Sequence, residues 1–318
     1  MKRLFIPVVI SLLYACSVDR YPYELAELSV PSEGVKCMVI GDWGRKGNIN
    51  LKANAFMMNE VACRVSTNAI LTTGDNFYDN GVDHVSDAHW SRSFEDVFTG
   101  NCLLPIIWYP SLGNHDARGN TQAQIDYSSV SNRWNMPSTY YDYWLEEDSV
   151  LVHFIAVDTN PFVAEYHQDP NNNAMEHHVT QADTAAQLAW LDSVLGAGNA
   201  DWTVVYGHHP VYAANGRHGE TEELIQKFVP IFDSHGLDVY FCGHNHSLEL
   251  IKTDTKTLYV TSGGGSIPQS RIENRPYNLF GIADAGFVLS SFTADSLQID
   301  FISKRGERLY SHVSPQTP

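Results

Sequence analysis

Short apolar runs of strand length alternate with longer segments whose apolar residues recur every three or four positions. The run Val35–Ile40 predicts a strand, and Leu51–Val65 predicts a helix, with Ala55, Met58, Ala62 and Val65 on one face. Ala69–Thr73 reads as the next strand. Ala88–Phe98 reads as a helix, with Trp90, Phe94, Val97 and Phe98 on one side, and Ile106–Pro110 as a strand. Val150–Val157 is another, with Tyr140–Trp144 as a partner for it. Thr180–Asp183 has the form of a capping box, which predicts a helix over Ala185–Leu195. A strand at Trp202–Tyr206, a helix at Glu222–Phe232 and a strand at Val239–Cys242 complete this part.

After Gly243 the pattern changes. Leu248–Ile251, Leu258–Thr261, Gly286–Phe292, Leu297–Ile302 and Leu309–Val313 read as strands with little helix between them. The first two-thirds therefore predict crossover α/β units and the last third an antiparallel sheet. The expected architecture is α/β (α+β): one domain over 33–318, with two packed mixed sheets flanked by helices. Pro161–Val179, which contains Asn171-Asn172-Asn173, reads as a long polar loop.

Composition narrows the picture. The chain has 318 residues, 43% of them apolar, enough for one large globular core. Its formal net charge of −17 argues against nonspecific binding to nucleic acid. An acidic protein that handles anionic substrates needs local positive charge, which a bound metal would supply.

The N-terminus reads as a leader. Met1-Lys2-Arg3 is basic, Leu4–Ala15 is apolar but short for a bilayer span, and Leu13-Tyr14-Ala15-Cys16 resembles a bacterial lipobox. The expectation is a signal peptide over 1–16, lipidation at Cys16 and a tether over 17–32. An ordinary cleaved secretory leader is the alternative, and an uncleaved anchor a third. The protein is thus expected to cross the inner membrane and to be an envelope lipoprotein or a periplasmic or extracellular monomer. Its only membrane contact would be the lipid. The remaining cysteines, Cys37, Cys63, Cys102 and Cys242, read as buried free thiols. No CxxC or CxxCH occurs, which excludes zinc-ribbon and c-type haem sites.

Candidate chemistry follows the strands. Asp42-Trp43-Gly44, Gly74-Asp75-Asn76-Phe77-Tyr78, Gly113-Asn114-His115-Asp116, His208-His209 and Gly243-His244-Asn245-His246 each come after an apolar run, and His218 stands nearby in sequence. An Asp after a strand is usually a turn former or cap. Five polar residues (Asp42, Asp75, Asn114, His208 and His244) in this one position fit a ligand site beyond the carboxyl ends of the strands better. A carboxylate can bridge two cations, a phenolate suits a trivalent ion, and a neutral amide oxygen suits the less charged partner. One of His208 and His209 is expected as a ligand; His208, nearer the strand end, is the choice.

These blocks, in this order, resemble those of the calcineurin-like metallophosphoesterases. Tyr78 narrows the resemblance to the purple acid phosphatases, of the small tartrate-resistant type. Phe94-Glu95-Asp96-Val97-Phe98 and Arg133-Trp134-Asn135-Met136-Pro137 add to it, and it covers roughly Val35 to Val313. The resemblance implies a four-layer sandwich. It implies Fe(III) held by Asp42, Asp75, Tyr78 and His246. A divalent ion, Fe(II), zinc or manganese, would be held by Asp75, Asn114, His208 and His244. It also implies that His115 and His218 face the substrate phosphate and leaving group as catalytic residues. Asn114 is expected to contact substrate as well, and Arg217, from its charge alone, to meet substrate phosphate directly. The implied activity is hydrolysis of phosphomonoesters, small or on protein. A phosphodiesterase or nucleotidase on the same core, and a non-catalytic metal- or phosphate-binding envelope protein, are the competing readings. Three departures stand out. Asn160-Pro161 and the Glu222-Glu223 region replace the cysteines of the mammalian disulfide, Asn245 replaces an acidic residue, and Arg217 replaces a glutamate.

Overall fold

The computed structural model describes residues 23–168, 173–214, 216, 218–269 and 271–316; the leader with Cys16, and Arg217, lie outside them. In chain order the elements are β1 (Val35–Ile40), α1 (Ile49–Arg64), β2 (Ala69–Thr72), α2 (Ala88–Trp90), β3 (Ile107–Pro110), α3 (Asn114–Ala117), α4 (Thr121–Asp126), β4 (Tyr141–Glu147), β5 (Val150–Ala156), α5 (Asn173–Gln181), α6 (Thr184–Gly196), β6 (Trp202–Tyr206), α7 (Glu222–His235), β7 (Val239–Cys242), β8 (Leu248–Lys252), β9 (Leu258–Ser262), β10 (Asn278–Ile282), β11 (Gly286–Phe292), β12 (Ser296–Ser303) and β13 (Arg308–Pro315).

They form a six-stranded sheet, β13-β12-β11-β1-β2-β3, and a seven-stranded sheet, β10-β8-β9-β7-β6-β5-β4. Each is mixed. β1, β2 and β3 run parallel, as do β5, β6, β7 and β9, and antiparallel strands extend both sheets. The alternation along β5 shows how the layers stack. Val152, Phe154 and Ala156 join the core between the sheets, while Ile155 turns to the other face, among Leu191, Leu224 and Phe228 of α6 and α7. Strands buried on both faces read as continuous apolar runs, which is why their limits were legible. Helix α1 covers the first sheet through Leu51, Met57, Met58 and Val61. The result is the expected four-layer arrangement of two mixed sheets flanked by helices.

Several expectations need correction. The stretch Pro161–Val179 is not a featureless loop. It contains 3₁₀ turns at Asn160–Phe162 and Ala164–Gln168 and the start of α5. Met175 and Val179 of α5 pack with Val163, Tyr166 and Ala117, so the polar residues are only its outer face. The cap of α6 is Asp183, whose side chain accepts from the Ala186 N–H; the Thr180 hydroxyl instead donates back to carbonyls of its own helix. The helix expected over Ala88–Phe98 is broken: α2 gives way to a π turn at Ser91–Glu95. Glu95 there is held by Arg133, Tyr127 and Ser131, and Arg133 also reaches the Phe98 carbonyl.

Cys63 and Cys102 are not free thiols. They form a disulfide across 39 residues, joining the end of α1 to the loop before β3, whereas Cys37 and Cys242 are free and buried. The described part of the expected tether lies along the domain: Leu25 is buried, and Gln298 and Arg64 donate to the carbonyls of Ser29 and Leu25.

Candidate metal centre

The register of the parallel strands brings the candidate residues to one edge. Val39 pairs with Leu71 and Leu71 with Tyr109, so β1, β2 and β3 end together, and Asp42, Asp75 and Asn114 follow them. β6 and β7 end beside each other in the second sheet and deliver His208 and His244. Asp42, Asp75 and His244 all have φ between 53° and 63°, a left-handed backbone uncommon for non-glycine residues and shared here by Lys46, Asp148 and Ser149. Close approach demands Gly113: a Cβ there would lie 2.1 Å from the Asp75 nitrogen and 2.2 Å from its Oδ1.

Two donor clusters result. In one, Tyr78 Oη lies 3.0 Å from Asp42 Oδ1 and 3.2 Å from His246 Nε2, and His246 Nε2 lies 3.4 Å from Asp42 Oδ1. In the other, Asn114 Oδ1 lies 3.1 Å from His208 Nε2 and 3.2 Å from His244 Nδ1, and the two ring nitrogens are 3.2 Å apart. Asp75 stands between them. Its Oδ1 is 3.4 Å from His208 Nε2, and its charge helps to raise the Tyr78 phenol. At metal–ligand bonds of about 2.0–2.2 Å, donors around one ion sit about 3 Å apart, so each cluster fits one ion.

Hydrogen bonds behind the rings fix which nitrogen faces inward. His208 Nδ1–H donates to the Thr73 carbonyl at 2.8 Å and His246 Nδ1–H to that of Ile267 at 2.8 Å, leaving both Nε2 atoms bare. His209 is different. It borders His208 and His244, but its Nδ1 is 2.7 Å from Thr159 Oγ1 and its Nε2 2.9 Å from Tyr166 Oη, so both nitrogens already have a hydroxyl partner. The bare Nε2 of His208 and the occupied nitrogens of His209 favour His208 as the ligand.

The electrostatics match a cation site. Burial works against the charge on Asp75, but the neighbouring His208 and His115 overcome it and hold the carboxyl far below its usual range. Burial, then crowding by His209, His208, His218 and His246, drives His244 well below the ordinary histidine value. Tyr78 is pushed up by burial and by Asp42 and Asp75. The shifts at His244 and Asp75 favour the protonation states that bind a metal, whereas the shift at Tyr78 opposes the phenolate as long as no cation faces it. Behind the clusters, Asp116 accepts from the N–H groups of Asn76, Phe77 and Gly113, tying the two aspartate and asparagine loops together. Burial, then Asp75, pushes its carboxyl up to about 7.

His115 borders the site. Its N–H donates to Asp75 Oδ1 at 2.9 Å, its ring lies 4.2 Å from that of Tyr78, and its Nδ1 meets the Asp79 carbonyl. The His218 ring lies 4.4 Å from that of His244, tilted by 45°. Buried Asn245 donates to the Gly219 carbonyl. Where Asn160 and Glu223 stand for the mammalian cysteines, the connection is noncovalent: Glu223 accepts from the Ala164 N–H, and Phe162 meets Phe228 edge to face. Sequence reasoning missed Arg45, whose guanidinium lies 3.6 Å over the Tyr78 ring. The only signal was an arginine directly after Asp42-Trp43-Gly44.

Residues 35–248 match the calcineurin-like phosphoesterase family model. Tartrate-resistant acid phosphatase type 5 of Homo sapiens is 31% identical over 92% of this chain and 94% of its own length. Purple acid phosphatase 17 of Arabidopsis thaliana is 32% identical over 88% of this chain and 84% of its own. Among solved structures, GAP50, titled the anchor in the inner membrane complex of Plasmodium, has a TM-score of 0.78 at 24% identity, covering 90% of each chain, a likeness of fold alone. The chain belongs to the calcineurin-like phosphoesterases, as a relative of the purple acid phosphatases, and is a hydrolase with a metal centre.

Proposed function

We propose that this protein is an acid phosphatase that hydrolyses phosphate monoesters at a binuclear Fe(III)–M(II) centre. The supporting observation is a pair of donor clusters of unequal charge that share Asp75. Asp42, Tyr78 and His246 bring two oxygens that can be anionic, and suit Fe(III). Asn114, His208 and His244 are neutral and suit a divalent iron, zinc or manganese ion. When bound, such a pair supplies charge neutralisation for the phosphate and a water acidic enough to attack phosphorus in mildly acidic solution.

The chain's own residues do the rest. His115 uses Nδ1–H on the Asp79 carbonyl, so its neutral form has a bare Nε2; only once protonated there, a state that burial opposes and Asp75 favours, does Nε2–H have a proton for the leaving alkoxide. His218, against His244, flanks the opposite side, and Arg217 next to it adds a cation for substrate phosphate. Asp116 holds the two loops that carry Asp75 and Asn114 at a fixed separation. Export belongs to the same reading: the leader ends at Cys16, and the Cys63–Cys102 disulfide suits an oxidising compartment. The protein works there as a monomer, held by lipid on Cys16.

The test is hydrolysis of a phosphomonoester and its matched diester by the purified protein, with metals quantified by element. The expected result is a clear preference for the monoester, with two metal ions per chain, at least one of them iron. Preference for the diester, or an iron-free active protein, would remove this reading. Cys16→Ala should leave the membrane fraction; if it stays there, the lipid anchor is wrong.

A further inference from the structure

The loop after β1 is stitched to the loop after β2 by backbone. The Gly44 N–H donates to the Asp75 carbonyl at 3.3 Å, and the Tyr78 N–H donates to the Gly44 carbonyl at 2.9 Å. Glycine is required for this approach, since a Cβ on residue 44 would lie 2.0 Å from the Asn76 carbonyl oxygen. The next residue, Arg45, is thereby delivered onto Tyr78. Its guanidinium carbon sits 3.6 Å from the ring centroid, well inside the range over which a cation is attracted to an aromatic face.

The guanidinium has little else to satisfy it. Its Nε is buried without a hydrogen-bond partner. Its carboxylate neighbour is Asp79, 3.8 Å away and largely exposed, a loose pair that solvent screens. The side chain itself is only 22% exposed, so its charge acts in a poorly screened setting. Its field reaches the cluster: burial, Asp42 and Asp75 raise Tyr78, and Arg45 works against them. Arg45 likewise opposes the carboxylates around His246.

We propose that Arg45 is a positioning residue for Tyr78, whose cation over the ring lowers the energy of the phenolate electrons and sets how strongly that oxygen donates to the ferric ion. This rests on the ferric-tyrosinate reading above. A weaker donor leaves the iron easier to reduce, and it raises the energy needed to move an electron from tyrosinate to iron. Arg45 therefore tunes both colour and reduction potential without touching substrate.

The experiment compares the visible spectrum, the reduction midpoint and the metal content of wild type, Arg45→Met and Arg45→Lys. Arg45→Met keeps the length of the side chain and removes the charge. It should retain both metals, shift the band to longer wavelength by on the order of 10 nm, and lower the midpoint potential. Arg45→Lys, which keeps the charge but not the planar group, should fall between. An unmoved band and midpoint in Arg45→Met would overturn the proposal, as would a lysine variant displaced as far as the methionine one. Loss of iron from Arg45→Met alone would also overturn it, by making the arginine a structural prop. A wild-type protein that holds iron but has no such band would defeat the ferric-tyrosinate reading and this inference together, before any variant is made.

Discussion

The donor clusters on either side of Asp75 differ in chemistry and in what stands behind them. The Asp42–Tyr78–His246 cluster is rich in oxygen, and its loops are tied to one another: His246 through the Ile267 carbonyl, Tyr78 through Gly44. The Asn114–His208–His244 cluster is neutral. It leans on α3, whose Ala117 packs with Met175 and Val179 of α5, and on His209, which Thr159 and Tyr166 hold in place. Both clusters are braced by backbone carbonyls, Ile267 behind His246 and Thr73 behind His208, so it is the oxygen donors that set the first apart. The other also leans on α5, a segment pinned mainly by side chains.

The largest disturbance should come from removing what the clusters share. Asp75→Ala should lose both metals and at least the roughly 10³-fold in kcat that a single transition-state contact can be worth. Metal content and turnover check this. Loss of only one metal would show that Asp75 does not bridge. Removing the Cys63–Cys102 link sharpens the comparison from outside, since it touches neither cluster. Cys63→Ser/Cys102→Ser should cost about 4 kcal/mol of stability for a loop of this length, with both metals retained. Denaturant titration reads the first part and metal analysis the second.

Asn114→Ala should separate the clusters. The divalent ion should bind more weakly by at least the 10–100-fold that loss of a supporting group costs, while iron stays. Equal loss of both ions would contradict the division. The smallest effect concerns the pinned segment. His178 of α5 meets Asp158 at 2.6 Å; burial lowers its pKa, but Asp158 outweighs burial and the value lies above the usual 6.5. A raised folded-state value means that the pair's stabilisation is complete below 6.5 and fades as pH rises through the folded value. Hydrogen exchange in 173–181 should therefore speed up, relative to His178→Gln, from acidic to alkaline solution, by about 1 kcal/mol of protection. A difference that does not vary with pH would show that the ion pair does not anchor α5.

Much of this was readable from residue order. Trp202–Tyr206, Val239–Cys242 and Gly286–Phe292 are buried strands whose apolar runs mark their own ends. The candidate ligands were legible because each follows such a strand. What was not legible depends on partners far away in sequence. Cys63 and Cys102 look like two unrelated buried residues until α1 and the loop before β3 come together. α5 is polar on most of its surface and buries only Met175 and Val179. β10, with Gly281 and a half-exposed face, lacks the apolar run of the other strands. Arg45 needed the positions of two loops before its place over Tyr78 could be seen.

The central claim is that the oxygen-rich cluster holds ferric iron through Tyr78, and a visible spectrum tests it most directly. The oxidised wild-type protein should be pink to purple. Tyr78→Phe should be colourless and still folded, since only one oxygen is removed. A wild-type protein with both metals bound and no visible band, or a Tyr78→Phe protein that keeps its colour, would contradict it.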